Sequence, residues 1–478
     1  MSADRVPFGG VPIRATSLTE GVFVTGTPGA GKTQLMNETA DPILRSIAGV
    51  SERSCWRNAF ILAAKPRAVM NHLEHLGIPD DRIAIFNPED MRCRPHDVSF
   101  DFSGSAGVFD YASLIVPKNP RAPDQFWRDG GVTLVESGLT TIDRARKLWY
   151  DEDSIYGCSS RARLKALVER EPELNSAVIE SFYSGGSENR MQASVEFTLE
   201  THMKPLRVCA AQLQAARERG NPPFSFVRDW MGDGPRIVVV ALSTAYSESW
   251  NPVMVPLKTS CAISAFKRGS VHTPLSPSLT LFWLDEFPQL LMSMRESDVL
   301  QFFALCRELG GVPLLGAQSE SLLAAAAGED VAKSVIGNLA FAAYGVTNDG
   351  RTAESASLAF GQHEVERVRE DETHEPNVIK ERRLEPDHFM RENAPGRFRF
   401  YCRAPGIGKW RYEMRLEDII RRNRRLTQEH LDAEQRRKAP QARLKPWDRN
   451  DLIRLGLARP ETGPWPPFVD PNGDWRPA

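Results

Sequence analysis

Short apolar runs separated by amphipathic stretches recur along most of this chain, and they predict strands alternating with helices. The first run, Gly21-Val22-Phe23-Val24-Thr25, reads as a buried parallel strand leading into a Gly-rich loop. Good helix formers follow (Gln34-Leu35-Met36-Asn37-Glu38). Ala59 to Ala63 and Arg82 to Phe86 are further strands, with a crossover helix over Val69 to Leu76 between them. The same signal returns at Arg236 to Leu242, Leu279 to Leu284, Val312 to Ala317 and Phe341 to Val346. Strands alternating with helices imply an α/β fold with a mainly parallel sheet.

Between these blocks the period changes. From about Asp124 to Arg219, apolar residues recur every three or four positions and β-branched clusters thin out, which predicts an all-α insertion. Gly361 to Glu385 is highly charged and aperiodic and reads as a mobile loop. A strand pair is expected over Arg397 to Arg403 and Trp410 to Met414. A basic helix with Arg421, Arg422, Arg424 and Arg425 then leads to a Pro/Trp-rich tail. The expected division is therefore 1–123 and 231–418 as two parts of one nucleotide-binding domain, 124–230 as the insertion, and 419–478 as helix and tail.

Composition changes this picture little. With 478 residues, 41% hydrophobic and 26% charged, the chain is an ordinary globular protein of more than one domain. A formal net charge of −2 gives no global pull toward nucleic acid, so any basic surface must be local. Its 7 cysteines are scattered with no C-x-x-C pair, which points to a reducing compartment and a cytoplasmic location. The N-terminus has no apolar signal region, and no apolar run approaches the ~18–20 residues of a membrane helix.

The chemistry lies at the ends of the strands. Gly26-Thr27-Pro28-Gly29-Ala30-Gly31-Lys32-Thr33 fits G-x-x-x-x-G-K-T between a strand and a helix. In such a loop the glycines let backbone N–H groups surround a phosphate. Lys32 reaches the β/γ oxygens, and the Thr33 hydroxyl completes a Mg²⁺ shell, so ATP and Mg²⁺ are the expected ligands. A second acidic strand end, Leu281-Phe282-Trp283-Leu284-Asp285-Glu286, offers Asp285 to the metal and Glu286 as the base that orients water. The doublet favours a hydrolysing ATPase over a GTPase-type switch. Gln318, at the tip of the next strand, can sense the γ-phosphate or be a solvated strand end. Arg307 can be a surface charge or an arginine projected into a neighbouring subunit's site.

The order of these motifs resembles the type IV coupling proteins (TraG/TraD family), relatives of FtsK and HerA. The resemblance rests on Leu284-Asp285-Glu286-Phe287-Pro288, Arg307 to Gly311, Gln318 to Leu322, Ile336-Gly337-Asn338, Asp349 to Ala353 and Gly361. Phe126-Trp127-Arg128-Asp129 and Arg382 to Asp387 agree with it. It implies a RecA-like P-loop NTPase core with an all-α domain, a homo-hexameric ring around DNA, and partners such as a relaxase or a secretion channel. On that analogy Lys32 and Thr33 bind nucleotide and Mg²⁺, Asp285 supports the metal and Glu286 activates water. Gln318 would sense the γ-phosphate and Arg307 would act in trans.

Two departures stand out. Only about twenty residues precede the loop where the family has transmembrane helices, so any inner-membrane association would come through partners. Ala63-Ala64-Lys65-Pro66 keeps the lysine of the family's Asp-x-Lys-Gly motif and loses its aspartate. A nucleotide-dependent adaptor that holds a protein cargo, and an FtsK/HerA-like DNA pump, are the alternatives.

Overall fold

The computed structural model describes residues 5–50, 55–87, 89–116, 126–144, 218–241, 277–291, 302–367, 377–423, 468–469 and 475–476. A hairpin opens the chain, β1 (Arg5–Phe8) and β2 (Val11–Arg14), followed by β3 (Val22–Thr25) and helix α1 (Lys32–Ile47). Next come β4 (Trp56–Ala63), α2 (Pro66–His75), β5 (Ile83–Phe86), α3 (Val98–Asp101), α4 (Gly104–Ile115) and α5 (Phe126–Arg144). After the insertion region come β6 (Ile237–Ala241), β7 (Leu279–Leu284), α6 (Phe287–Leu291) and β8 (Gly311–Ala317). Helices α7 (Glu320–Ala327) and α8 (Glu329–Gly337), strand β9 (Phe341–Tyr344) and helix α9 (Gly350–Phe360) complete the main alternation. The last described elements of the core are β10 (Gln362–Arg367), β11 (Asn377–Arg382), β12 (Arg397–Ala404), β13 (Gly408–Arg415) and α10 (Leu416–Asn423).

Nine strands form the central sheet in the order β13-β12-β9-β3-β8-β7-β4-β6-β5. The seven from β9 to β5 run parallel, and the β12–β13 ribbon adds on antiparallel to β9. This is the mainly parallel α/β sheet that the strand pattern predicted, consistent with the RecA-like core that the family resemblance implied. Alternate side chains feed two cores. Trp283 and Leu281 of β7 pack on one face with α1, and Phe282 and Leu284 pack on the other with Leu315, Phe287 and Phe302.

One expectation is corrected. Residues 361–385 were expected to be a mobile loop, yet β10 and β11 pair antiparallel over six residues, with Glu364 opposite Lys380. The two strands carry few apolar residues, so no alternation of period two shows in the sequence. In the stretch before the P-loop, where no strand was predicted, Val6, Phe8 and Ile13 of the β1–β2 hairpin are buried in the main core. Its prolines and glycines masked the strands in the sequence. Most of the expected insertion, residues 145–217, and most of the tail beyond 423 lie outside the described residues. Among the described residues no helix is long and apolar enough to cross a membrane.

Residues 95–101 and 224–227, the latter near the end of the expected insertion, are tied together at one buried carboxylate. Asp101 Oδ1 accepts from Ser225 Oγ (2.5 Å) and Val227 N (3.0 Å), while Oδ2 accepts from Phe226 N (3.1 Å) and meets His96 Nε2 at 2.7 Å. Backbone bonds between Pro95 and Phe224, and between Asp97 and Phe224, reinforce the junction. Burial alone would raise the Asp101 carboxyl. The His96 hydrogen bond and charge, with the Ser225 and Val227 donors, outweigh it and hold the group below its ordinary value.

Asp101→Asn is expected to cost about 3–5 kcal/mol, read by urea unfolding, because donors are left facing an amide in a dry site. A depressed folded value means that the contribution is complete above the unfolded carboxylate value of ~4 and vanishes as pH falls through the folded value. The stability gap between wild type and Asp101→Asn should therefore close below about pH 4. A gap that persists at low pH would contradict this role.

Candidate nucleotide site

Register brings the predicted residues to one edge. Thr25 of β3 pairs with Ala317 of β8, and Leu315 of β8 pairs with Leu284 of β7. The carboxyl ends of these three adjacent strands therefore deliver the P-loop, Gln318 and Asp285-Glu286 to one rim. In a parallel sheet that rim is where ligands bind.

The P-loop is shaped for an anion. Gly31 has φ 89 and starts α1 without a side-chain cap, leaving first-turn N–H groups for a ligand. A Cβ at Gly31 would stand 2.9 Å from the Phe398 ring of β12, so positive φ and close packing both demand glycine there. Thr27 N and Oγ1 donate to Val346 O at 2.7 and 3.2 Å, which pins the loop to the chain leaving β9.

Lys32 is buried at 6% exposure, and its Nζ donates to Gly26 O (2.7 Å) and Thr27 O (3.2 Å) inside the loop. Burial lowers its pKa, opposed by the charges of Glu286 and Asp285 and assisted by Lys65. Loop carbonyls are modest partners for an ammonium group. A polyphosphate placed against the same Nζ is a far stronger one.

Thr33 Oγ1 donates to Asp285 Oδ2 at 3.1 Å, joining residues 252 positions apart. A hydroxyl and a carboxylate oxygen at this spacing are the hard donors that Mg²⁺ takes, so the pair fits that ion. Burial raises the Asp285 pKa and the neighbouring Glu286 adds to the rise, while the Thr33 hydrogen bond and Lys32 oppose both. A cation at this place would relieve that excess of negative charge. A Cβ on Gly316 would stand 2.9 Å from Asp285 Oδ1 and 2.9 Å from Met36 Sδ, so this glycine gives Asp285 its room.

Glu286 is the one non-glycine residue at positive φ among the described residues, with φ 58. Left-handed backbone costs such a residue roughly 1–2 kcal/mol, a strain retained here at the rim of the site. Gln318 Nε2 donates to both Glu286 oxygens, at 3.1 and 3.2 Å. Strand-tip polarity thus meets the candidate base directly.

Arg307 stands apart from this cluster. It precedes β8, whose seven residues span about 20 Å at ~3.3 Å per residue. Its exposed guanidinium lies 3.3 Å from Glu20 Oε1, at the amino edge of the sheet. Within one subunit it does not join Lys32, Asp285, Glu286 and Gln318. Two participants escaped the sequence reading, the Val346 carbonyl and the Phe398 ring, while Lys65 was named there without its effect on Lys32. The reach of Lys65 was findable in principle, since β4 adjoins β7 and the lysine follows just past the strand's end at Ala63. Among the described residues no group of His, Cys, Asp and Glu forms a separate metal cluster.

A family model for the type IV secretion-system coupling protein DNA-binding domain matches residues 5–384. The chain belongs to this coupling protein family. Solved structures of the bacterial conjugative coupling protein TrwB share its fold. The unbound form is 19% identical with a TM-score of 0.63, over 87% of this chain and 89% of that one. The TrwB complex with ADP and Mg²⁺ is 18% identical with a TM-score of 0.62, over 87% and 89%. The complex with the non-hydrolysable ATP analogue ADPNP is 20% identical with a TM-score of 0.60, again over 87% and 89%. No curated protein matches the chain.

Proposed function

We propose that this coupling protein hydrolyses ATP at the P-loop rim and uses the energy to move DNA, or a protein–DNA conjugate, in conjugative transfer. The observation that carries the reading is the convergence of Lys32, Thr33, Asp285, Glu286 and Gln318 on one strand-end rim. Lys32 and the loop amides of residues 26–33 hold the β- and γ-phosphates. Thr33 and Asp285 hold Mg²⁺, which neutralises charge on the phosphate oxygens.

Glu286 takes a proton from water as its oxygen attacks the γ-phosphorus. The bond from that phosphorus to the β–γ bridging oxygen breaks, and ADP and inorganic phosphate leave. Gln318 orients the water or the γ-phosphate between its own amide and Glu286. Nucleotide and Mg²⁺ in the TrwB complexes support the same ligands here.

The family's DNA-binding description supports DNA as the partner. On the coupling-protein analogy, residues 124–230 form the all-α insertion and subunits assemble into a hexamer. Arg307, out of reach of its own site, is then free to serve a neighbour's. ATP turnover by the full chain, with and without single- or double-stranded DNA, tests the proposal. Stimulation by DNA is expected, and turnover indifferent to DNA would favour a protein-cargo adaptor instead.

A further inference from the structure

Gln318 can sense a phosphate only if its backbone is held in place, and nothing on β8 itself does that beyond Ala317. The brace comes from the chain after β9. Glu320 N, two residues past Gln318, donates to Thr352 Oγ1 at 2.8 Å. Thr352 is 1% exposed; its hydroxyl accepts from that amide and donates its own proton to the acceptor-only carboxylate of Asp349, at Oδ2, 2.5 Å away. The other Asp349 oxygen accepts from Ser321 Oγ at 2.7 Å.

Asp349 thus caps its own helix α9, taking Thr352 N at 3.0 Å, and grips the first turn of α7 with the same carboxylate. Ser319, between Gln318 and this grip, caps α7 by accepting from Leu322 N at 3.1 Å. Desolvation, the largest single effect, would raise the Asp349 carboxyl, but the hydrogen bonds from Thr352 and Ser321 together outweigh it and hold the group below its ordinary value, so the acceptor is ionised at neutral pH.

The same segment reaches the P-loop, because Val346 O accepts from Thr27 N at 2.7 Å. One loop, residues 345–349, therefore touches both the phosphate-binding loop and the first turn of α7 beside the strand tip that carries Gln318. Hydrogen bonds of 2.7 Å join it to each, Thr27 N to Val346 O and Ser321 Oγ to Asp349 Oδ1.

We propose that Thr352, held by Asp349, is a positioning residue that sets Gln318 against Glu286 for ATP hydrolysis. The proposal rests on the reading of Gln318 as a residue of the hydrolytic site. Thr352→Val keeps the shape and removes both hydroxyl hydrogen bonds. It is expected to lower kcat about tenfold while leaving the Kd for ATP within about twofold, since phosphate and metal contacts are untouched. Thr352→Ser restores the hydroxyl and should recover most of the loss. Gln318→Ala combined with Thr352→Val should be no slower than Gln318→Ala alone, because both act through one amide.

Wild-type turnover in Thr352→Val, beside an impaired Gln318→Ala, would overturn the proposal and leave the site intact. Wild-type turnover in Gln318→Ala would instead refute the role of Gln318, and with it the proposal's premise. Should Thr352→Val melt early, Ser321→Ala carries the test from the part-buried side of the same carboxylate. It is then expected to lower kcat about threefold with Kd unchanged, and unchanged turnover would overturn the proposal.

Discussion

Replacing Glu286 by Gln is expected to cut ATP turnover about 10²–10⁴-fold while ATP stays bound. The amide keeps the size of the side chain and its place beside Gln318, but it cannot take a proton from water. Binding survives because Lys32, Thr33 and the loop amides stay in place, and the polyphosphate charge replaces the support that Glu286 gives the Lys32 ammonium. The variant should hold unhydrolysed ATP through gel filtration, whereas wild type should elute with ADP. A Glu286→Gln variant that turns over ATP normally would remove Glu286 from the chemistry and leave its φ of 58 without a catalytic reason.

Lys32→Ala is expected to fail earlier, at binding. The buried Nζ lies within 3.2 Å of two loop carbonyls and is positioned for a phosphate between them. Losing a buried charged hydrogen-bonding partner costs about 2–5 kcal/mol. That corresponds to roughly 30- to 4,000-fold in the Kd for ATP. Titration with a fluorescent ATP analogue reads the loss directly. Wild-type affinity in Lys32→Ala would mean that nucleotide sits elsewhere. The two variants thus separate holding ATP from cleaving it.

Much of this site was legible because its parts sit where strands end. The run from Val22 to Thr25 announces the P-loop, and the run from Leu281 to Leu284 announces Asp285 and Glu286, since an apolar strand must stop where its polar residues begin. Gln318 was legible as a strand tip, but its bond to Glu286 was not. That contact depends on β8 lying next to β7, a matter of strand order rather than of local pattern.

What stayed hidden has a common cause. Asp101 meets Ser225 across 124 positions and Glu320 meets Thr352 across 32, and neither pair shares a periodic element that a sequence window could register. The β10–β11 ribbon was hidden because its strands are too charged to show an apolar alternation. Lys65 was seen but left without a role. Only the neighbouring register of β4 and β7 shows why its charge reaches Lys32.

The most direct test of the account is ATP turnover by the intact chain with and without DNA, run beside Glu286→Gln. The account predicts turnover that DNA raises in wild type and that is nearly absent in Glu286→Gln under both conditions. Turnover unaffected by DNA, or equal in the two proteins, would contradict it.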